Sequence, residues 1–223
     1  MFSNNRIESR IYETTKTYDS VYYLCHEAKE KGFSSIQVFP CMIAQCKQLL
    51  DGSTVMINSL ISYPHGGFSI DQKAAEAKEA SEYGAAMVEV VVNTREIKSH
   101  NYDYIFNEMD AVKRAVGKEI FVKFNIEIES LTDEEAVETC KMAIKANIDF
   151  ISTSTGLYHT LDDNKNDVPL VTTEHEIVLL KSTLGNSVKI QAEGNISDNE
   201  TANKLLLAGA DIISTEYASY IVR

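Results

Sequence analysis

Polar side chains recur at every second position inside several apolar runs of this 223-residue chain. MVEVVVN sets Glu89 between two valines, and IFVKFNIE carries Lys123, Asn125 and Glu127. DFISTSTG carries Ser152 and Ser154, and VKIQAEGN carries Lys189, Gln191 and Glu193. In a strand, residues two apart share a face. Each run therefore gathers its charged and hydroxylated residues on one side, where apolar packing needs none and an unpartnered buried charge is costly. Such a face is either a reaction site or a buried ion-pair network that sets strand register, with Lys123 against Glu89 or Glu127. His65 in YPHGG and His159 beyond DFISTSTG add a third reading, in which they join Glu89, Glu193 and Glu216 around a divalent metal that polarises a carbonyl. No ligand-spacing motif supports it, and neither metal nor cofactor is expected. Cys25, Cys41, Cys46 and Cys140 form no CxxC pair. Cys25 and Cys140 sit in helical patterns and read as small buried apolar residues, whereas Cys41 follows a strand and is expected nearer the surface.

The elements that would position these residues alternate along the chain. Strands are predicted over Arg6–Ile11, Ser34–Pro40, Val55–Ser62, Met87–Asn93, Ile120–Glu127, Asp149–Gly156, Val188–Asn195 and Ala210–Thr215. Helices are predicted between them over Tyr18–Lys31, Cys41–Leu50, from Ile70 to Gly84, and over Asp103–Val116, from LTDEEA onward, over Thr173–Leu184 and over Asp198–Leu207. Thr132 and Glu135 of LTDEEA have the spacing of a capping box. The polar stretch HTLDDNKNDVP after the sixth strand is long for a strand-to-helix connection and has the length of a lid. Eight strand–helix repeats predict the α/β class and a closed parallel (β/α)₈ TIM barrel, one domain over residues 1–223. In such a barrel, functional groups sit at the carboxyl ends of the strands, and the polar faces point inward.

Bulk properties narrow the partners. A hydrophobic fraction of 44% supports a sizeable core, and a formal net charge of −12 repels nucleic-acid phosphates and anionic lipid headgroups. No apolar run approaches the roughly 20 residues that span a bilayer. The opening MFSNNRIESR lacks the apolar stretch of a signal peptide, so a cytoplasmic location is expected. The expected partner is a small-molecule substrate, with self-association left open.

The stretches LCHEAKEKGFSSIQVFP, YPHG, EAKEASEYGAAMVEVVVN, REIKS, LTDEEA, DFISTSTG and LAGADIIST, in this order and spacing, give a chain that resembles the deoxyribose-phosphate aldolase family from about Ile7 to Val222. The resemblance implies the same barrel and carbon–carbon lyase chemistry on a small aldehyde or sugar derivative. It also implies a Schiff-base lysine at the first position of STSTG, which here is Ser152, and a second lysine where Gln191 stands. The family's proton-relaying aspartate corresponds to Glu89, and its Asp-His-Thr on the first strand reads Glu8-Ser9-Arg10. Thr155 and Gly156 fall at the substrate. Of the two phosphate-binding turns, one becomes Gly194-Asn195 preceded by Glu193, and the other becomes Glu216-Tyr217. A hydroxyl cannot form an imine, and a carboxylate at a helix start repels phosphate. The usual cleavage of deoxyribose 5-phosphate is therefore expected to be absent or very weak, and Glu216 is expected to accept the N–H groups of the helix start after the eighth strand. Lys123, a lysine in the family too, and Lys189, one layer deeper than Gln191, are the candidates for a relocated imine. The alternatives are a non-catalytic small-molecule-binding barrel and a metal-dependent lyase.

Overall fold

The computed structural model describes residues 2–157, 159–161 and 167–222, with side chains for 2–157 and 170–222. Ten strands follow in chain order: β1 (Ile7–Arg10), β2 (Ser35–Val38), β3 (Met56–Ile61), β4 (Met87–Val91), β5 (Phe121–Asn125), β6 (Phe150–Ser152), β7 (His159–Leu161), β8 (Asp167–Pro169), β9 (Lys189–Ala192) and β10 (Ile212–Thr215). Eight of them pair in parallel around a closed barrel in the order β1-β10-β9-β6-β5-β4-β3-β2. This is the (β/α)₈ architecture expected from the repeats. Each strand is shorter than its apolar run, because the ladder stops where the chain bends into a loop. Within the polar stretch after β6, the described residues of β7 and β8 pair in antiparallel fashion. Residues 162–166 of the lid expected there lie outside the described residues.

The helices are α1 (Tyr18–Lys31), α2 (Ile43–Leu49), α3 (Ile70–Tyr83), α4 (Thr94–Lys98), α5 (Tyr102–Val116), α6 (Asp133–Lys145), α7 (Glu174–Leu184), α8 (Asn199–Ala208) and α9 (Ala218–Ile221). The capping box of Thr132 and Glu135 is formed, and Ser69 with Gln72 and Thr173 with Glu176 form two more. Each satisfies two backbone N–H groups that a helix start leaves unpaired. The short α4 has too few turns to show a periodicity in sequence.

Two packing layers result. Outward-facing residues such as Ile36, Val38, Val88, Val90, Val122, Phe124, Ile151 and Ile190 are buried against the helices. Inside the barrel, Met87, Phe150 and Ile212 pack with Met56 into a separate apolar floor. Above this floor the bore is polar, whereas bulky branched residues usually fill it. Parallel register sets the polar residues side by side: Glu89 beside Lys123, Asn125 beside Ser152, and Ser152 beside Gln191.

Candidate active site

Lys123 stands at the centre of the bore, fully buried. Its ammonium donates to Gln191 Oε1 at 2.5 Å and lies 3.3 Å from Glu8 Oε1 and 3.1 Å from Glu89 Oε2. Glu8 also accepts from Ser35 Oγ at 2.6 Å, Ser214 Oγ at 3.0 Å and Gln191 Nε2 at 2.9 Å. Glu89 accepts from Gln37 Nε2 at 2.6 Å, Ser152 Oγ at 2.8 Å and Asn125 Nδ2 at 3.2 Å. Asn58 Nδ2 bridges both carboxylates, at 3.1 Å from Glu8 and 3.2 Å from Glu89. Above them, Gln191 Nε2 donates to Glu193 Oε2 at 3.1 Å, and Glu193 pairs with Arg10 from β1. All eight barrel strands contribute to this network, β6 through Ser152 and β10 through Ser214.

The charges are apportioned by burial and neighbours. Two cations, Lys123 and Arg10, face the three carboxyls Glu8, Glu89 and Glu193. One proton on the carboxyls brings the set to neutrality, which a low-dielectric interior favours. Burial, then the charge of Glu89, pushes the pKa of Glu193 well above the carboxylate range. Burial alone would raise Glu89 as well. The nearby Lys123 ammonium, hydrogen bonds with Glu193 and Ser152, and Arg10 outweigh it and hold Glu89 at about 2. Lys123 is likewise opposed by burial, yet Glu8, Glu89 and Glu193 raise it above the ordinary lysine value. It is an ammonium without a lone pair, and an amine must be neutral to attack a carbonyl.

The mouth lies over this layer. Arg10 Nη2 donates to the Thr155 carbonyl at 2.6 Å, and the Thr155 N–H donates to Glu127 Oε1 at 2.7 Å. Glu127 follows β5 with a left-handed backbone, φ 51°. Its own N–H is tied to Asn125 Oδ1 at 3.1 Å. Burial raises Glu127 to about 7 and its neighbour Glu129 to about 8. Two loop backbones touch beside them: a Cβ on Gly156 would stand 3.5 Å from the Gly194 Cα, and one on Gly194, at φ 96°, would stand 3.0 Å from the Ser154 side chain. Arg10, Tyr12, Gly156, Asn195, Ser214, Thr215, Glu216 and Tyr217 enclose a cavity of about 10 Å³ at the rim. That is the room of one water molecule.

The expected site residues divide by position. Glu89, Lys123, Ser152 and Gln191 share the bore network, with Glu193 above it. Thr155, Gly156, Gly194 and Asn195 form the mouth. Lys189 does not join them. It is exposed on the floor side, its ammonium 5.3 Å from the centre of the Phe150 ring. Its phase points inward, but as the first residue of β9 it lies at the level of the apolar floor and leaves toward solvent. Glu216 also differs from expectation. It is exposed, and Thr215 Oγ1 takes the Tyr217 N–H at 2.9 Å. The ion-pair network expected of Lys123 exists, with Glu8 in place of Glu127. Glu8, Arg10, Gln37 and Asn58 were not among the expected site residues. The same alternation marks them, since Glu8 and Arg10 are two apart in β1, and Gln37 and Asn58 face inward from β2 and β3. His65 is exposed, and the side chain of His159 lies outside the described residues. Among the described residues, no three His, Cys, Asp or Glu side chains are grouped to hold a metal ion. Cys25, Cys46 and Cys140 are buried and Cys41 is exposed.

A closed parallel barrel whose interior carries carboxylates, a lysine and an arginine toward the carboxyl ends of its strands has the layout of a (β/α)₈-barrel site. Residues 3–180 match the DeoC/LacD family aldolase. A deoxyribose-phosphate aldolase of Brevibacillus brevis is 34% identical over 222 residues, covering 100% of this chain and 96% of its own length. A solved structure described as QR15, an aldolase, superposes with a TM-score of 0.89 at 27% identity, covering 98% of this chain and 93% of that one. A deoxyribose phosphate aldolase of Aeropyrum pernix, described as a unique tetramer, superposes with a TM-score of 0.85 at 25% identity, over 98% of this chain and 88% of that one. The chain belongs to the DeoC/LacD aldolase family and is a deoxyribose-phosphate-aldolase-like carbon–carbon lyase.

Proposed function

We propose that this lyase makes or breaks a carbon–carbon bond beside the carbonyl of a small, unphosphorylated compound, and that it does so without an imine. The observation that carries this reading is the state of the amines. Position 152 offers a hydroxyl bound to Glu89, Lys123 is an ammonium held by three acceptors, and Lys189 lies on the opposite side of the floor. The loss of phosphate recognition is supported at the rim. Asn195 Nδ2 is spent on the Gly156 and Leu170 carbonyls, the Tyr217 N–H is spent on Thr215, and Glu216 adds a negative charge. Self-association is in keeping with the tetramer described for one relative.

The test is borohydride reduction of the purified protein with acetaldehyde, alongside a cleavage assay with deoxyribose 5-phosphate. No stable adduct and no cleavage are expected. A trapped adduct overturns the reading and assigns the imine to the lysine that carries it. A second reading, a barrel that binds a small molecule without turning it over, is favoured by the tightness of the rim. It predicts that no carbonyl compound is converted or exchanged.

A further inference from the structure

Among the buried polar atoms without a partner are Arg10 Nε, Tyr63 Oη and Glu127 Oε2 around the mouth, with Glu129 Oε2 on the turn of Glu127. An orphaned polar atom in a closed interior costs about 1–3 kcal/mol, so such a set calls for a partner. Arg10 and Glu127 hold the two sides of residue Thr155, through its carbonyl and its N–H. Tyr63 lies close enough to both to feel their charges, together with those of Glu193 and Tyr12. Arg10 Nε and Tyr63 Oη are donors, and Glu127 Oε2 is a carboxyl oxygen that accepts. A carbonyl compound with an acidic hydrogen complements this set: its oxygen accepts from Arg10 and Tyr63, and its carbon beside the carbonyl faces the carboxylate.

We propose that Glu127 is the general base of this site and that Arg10 and Tyr63 bind the carbonyl oxygen of a two- or three-carbon aldehyde or ketone as it becomes an enolate. The inference rests on the imine-free reading above and adds the groups that move the proton. In the step, Glu127 Oε2 takes the hydrogen from the carbon beside the carbonyl. The C–H pair becomes the carbon–carbon double bond, and the carbonyl π pair moves onto oxygen. The Arg10 guanidinium and the Tyr63 hydroxyl, both donors, stabilise that oxygen. Proton return from the Glu127 carboxyl closes the cycle, and capture of the enolate by a second aldehyde forms the carbon–carbon bond.

The placement suits the task. Glu127 is at the carboxyl end of a barrel strand, where this fold builds its sites. Its left-handed backbone is a strained conformation for a non-glycine residue. It is held there by Asn125 Oδ1 on its N–H and by Ser130 Oγ, which donates to its carbonyl at 2.8 Å. One carboxyl oxygen is anchored on Thr155 and the other is free. Titrating near neutrality, burial having raised it to about 7, Glu127 can both take and return a proton at physiological pH. The charged and titratable groups facing it are Arg10 from β1, Tyr63 after β3, Glu89 from β4 and Glu129 from its own turn.

The experiment is hydrogen–deuterium exchange into acetaldehyde and into hydroxyacetone in D₂O, followed by proton NMR with the full-length protein. Wild type is expected to catalyse exchange that falls about tenfold per pH unit below about 7 and levels off above it, because only the carboxylate is a base. Glu127→Gln keeps the shape and the contact to the Thr155 N–H but cannot take the proton, and exchange should fall by about 10²–10⁴-fold. Tyr63→Phe should lower the plateau without moving the midpoint. Exchange that survives Glu127→Gln, a rate flat across neutral pH, or no exchange with either probe would each overturn the inference. The wild-type pH profile decides the matter even where Glu127→Gln folds poorly. Borohydride trapping of the exchanging wild type would instead sink the imine-free reading, while the Glu127→Gln rate still judges the base.

Discussion

Replacing Lys123 with methionine removes the cation around which the bore is built. The side chain is isosteric apart from its charge, so Glu8, Glu89 and Gln191 lose their shared donor while the space stays filled. Glu89 supplies the magnitude. Lys123 is the strongest of the contacts that hold it at about 2 against an ordinary 4.5. At 1.36 kcal/mol per unit, that difference corresponds to about 3 kcal/mol of stability. Direct measurements on broken buried pairs elsewhere give a similar figure, about 3–5 kcal/mol. The sign follows from the depressed pKa: the contribution is complete above about 4.5 and is lost as pH falls toward about 2. Urea unfolding followed by circular dichroism at a series of pH values measures both features. Lys123→Met should lower the unfolding free energy by about 3 kcal/mol at neutral pH, and the melting temperature by roughly 6–12 °C for a chain of this size. It should also flatten the acid limb. Lys123→Met combined with Glu89→Gln should recover part of the loss, because the second change removes the carboxylate left bare. A variant as stable as wild type, with its acid limb intact, would refute the assignment of Lys123 as the structural cation of the bore.

Glu127 and Glu129 act with the opposite sign. Their raised values, about 7 and about 8, favour folding most below about pH 4.5 and least above about 8, so the urea midpoint should fall over that range and fall less in Glu127→Gln with Glu129→Gln. Ser152→Lys alone should give no borohydride adduct with acetaldehyde, because Glu89, 2.8 Å from the present hydroxyl, would hold the new ammonium as an ion pair. Adding Gln191→Lys supplies a competing cation and should permit trapping, with adduct mass read by mass spectrometry, yet calorimetry should still show no tight binding of deoxyribose 5-phosphate. Outside the barrel, Lys73 and Glu108 form a fully buried pair at 2.7 Å between α3 and α5. Lys73→Met should cost about 3–5 kcal/mol in urea unfolding, and Lys73→Met with Glu108→Leu much less.

The local content of the chain was legible in order. Alternating runs produced the eight barrel strands, the helix between LTDEEA and Lys145 began at its expected cap, and the inward faces of Glu89, Lys123, Ser152 and Gln191 were read from parity alone. Parity has only two values, however, and a barrel interior also has depth. Lys189 shares the phase of Gln191 and still ends in solvent below Phe150, because strand tilt and stagger set its height, and those belong to the closed sheet. Partnership across the bore was equally hidden. Glu8 meets Lys123 over 115 residues of chain, and Arg10 meets Glu193 over 183. No spacing rule links such pairs. The location of the protons is more remote still. Glu89 and Glu193 are the same residue type on inward faces, yet the pKa of one is held down and that of the other pushed up, because burial makes each depend on all the others enclosed with it. Sequence supplied the groups and their faces. Only the closed barrel, by removing water from between them, decided which are charged, which are paired, and which polar atoms at the mouth remain without a partner.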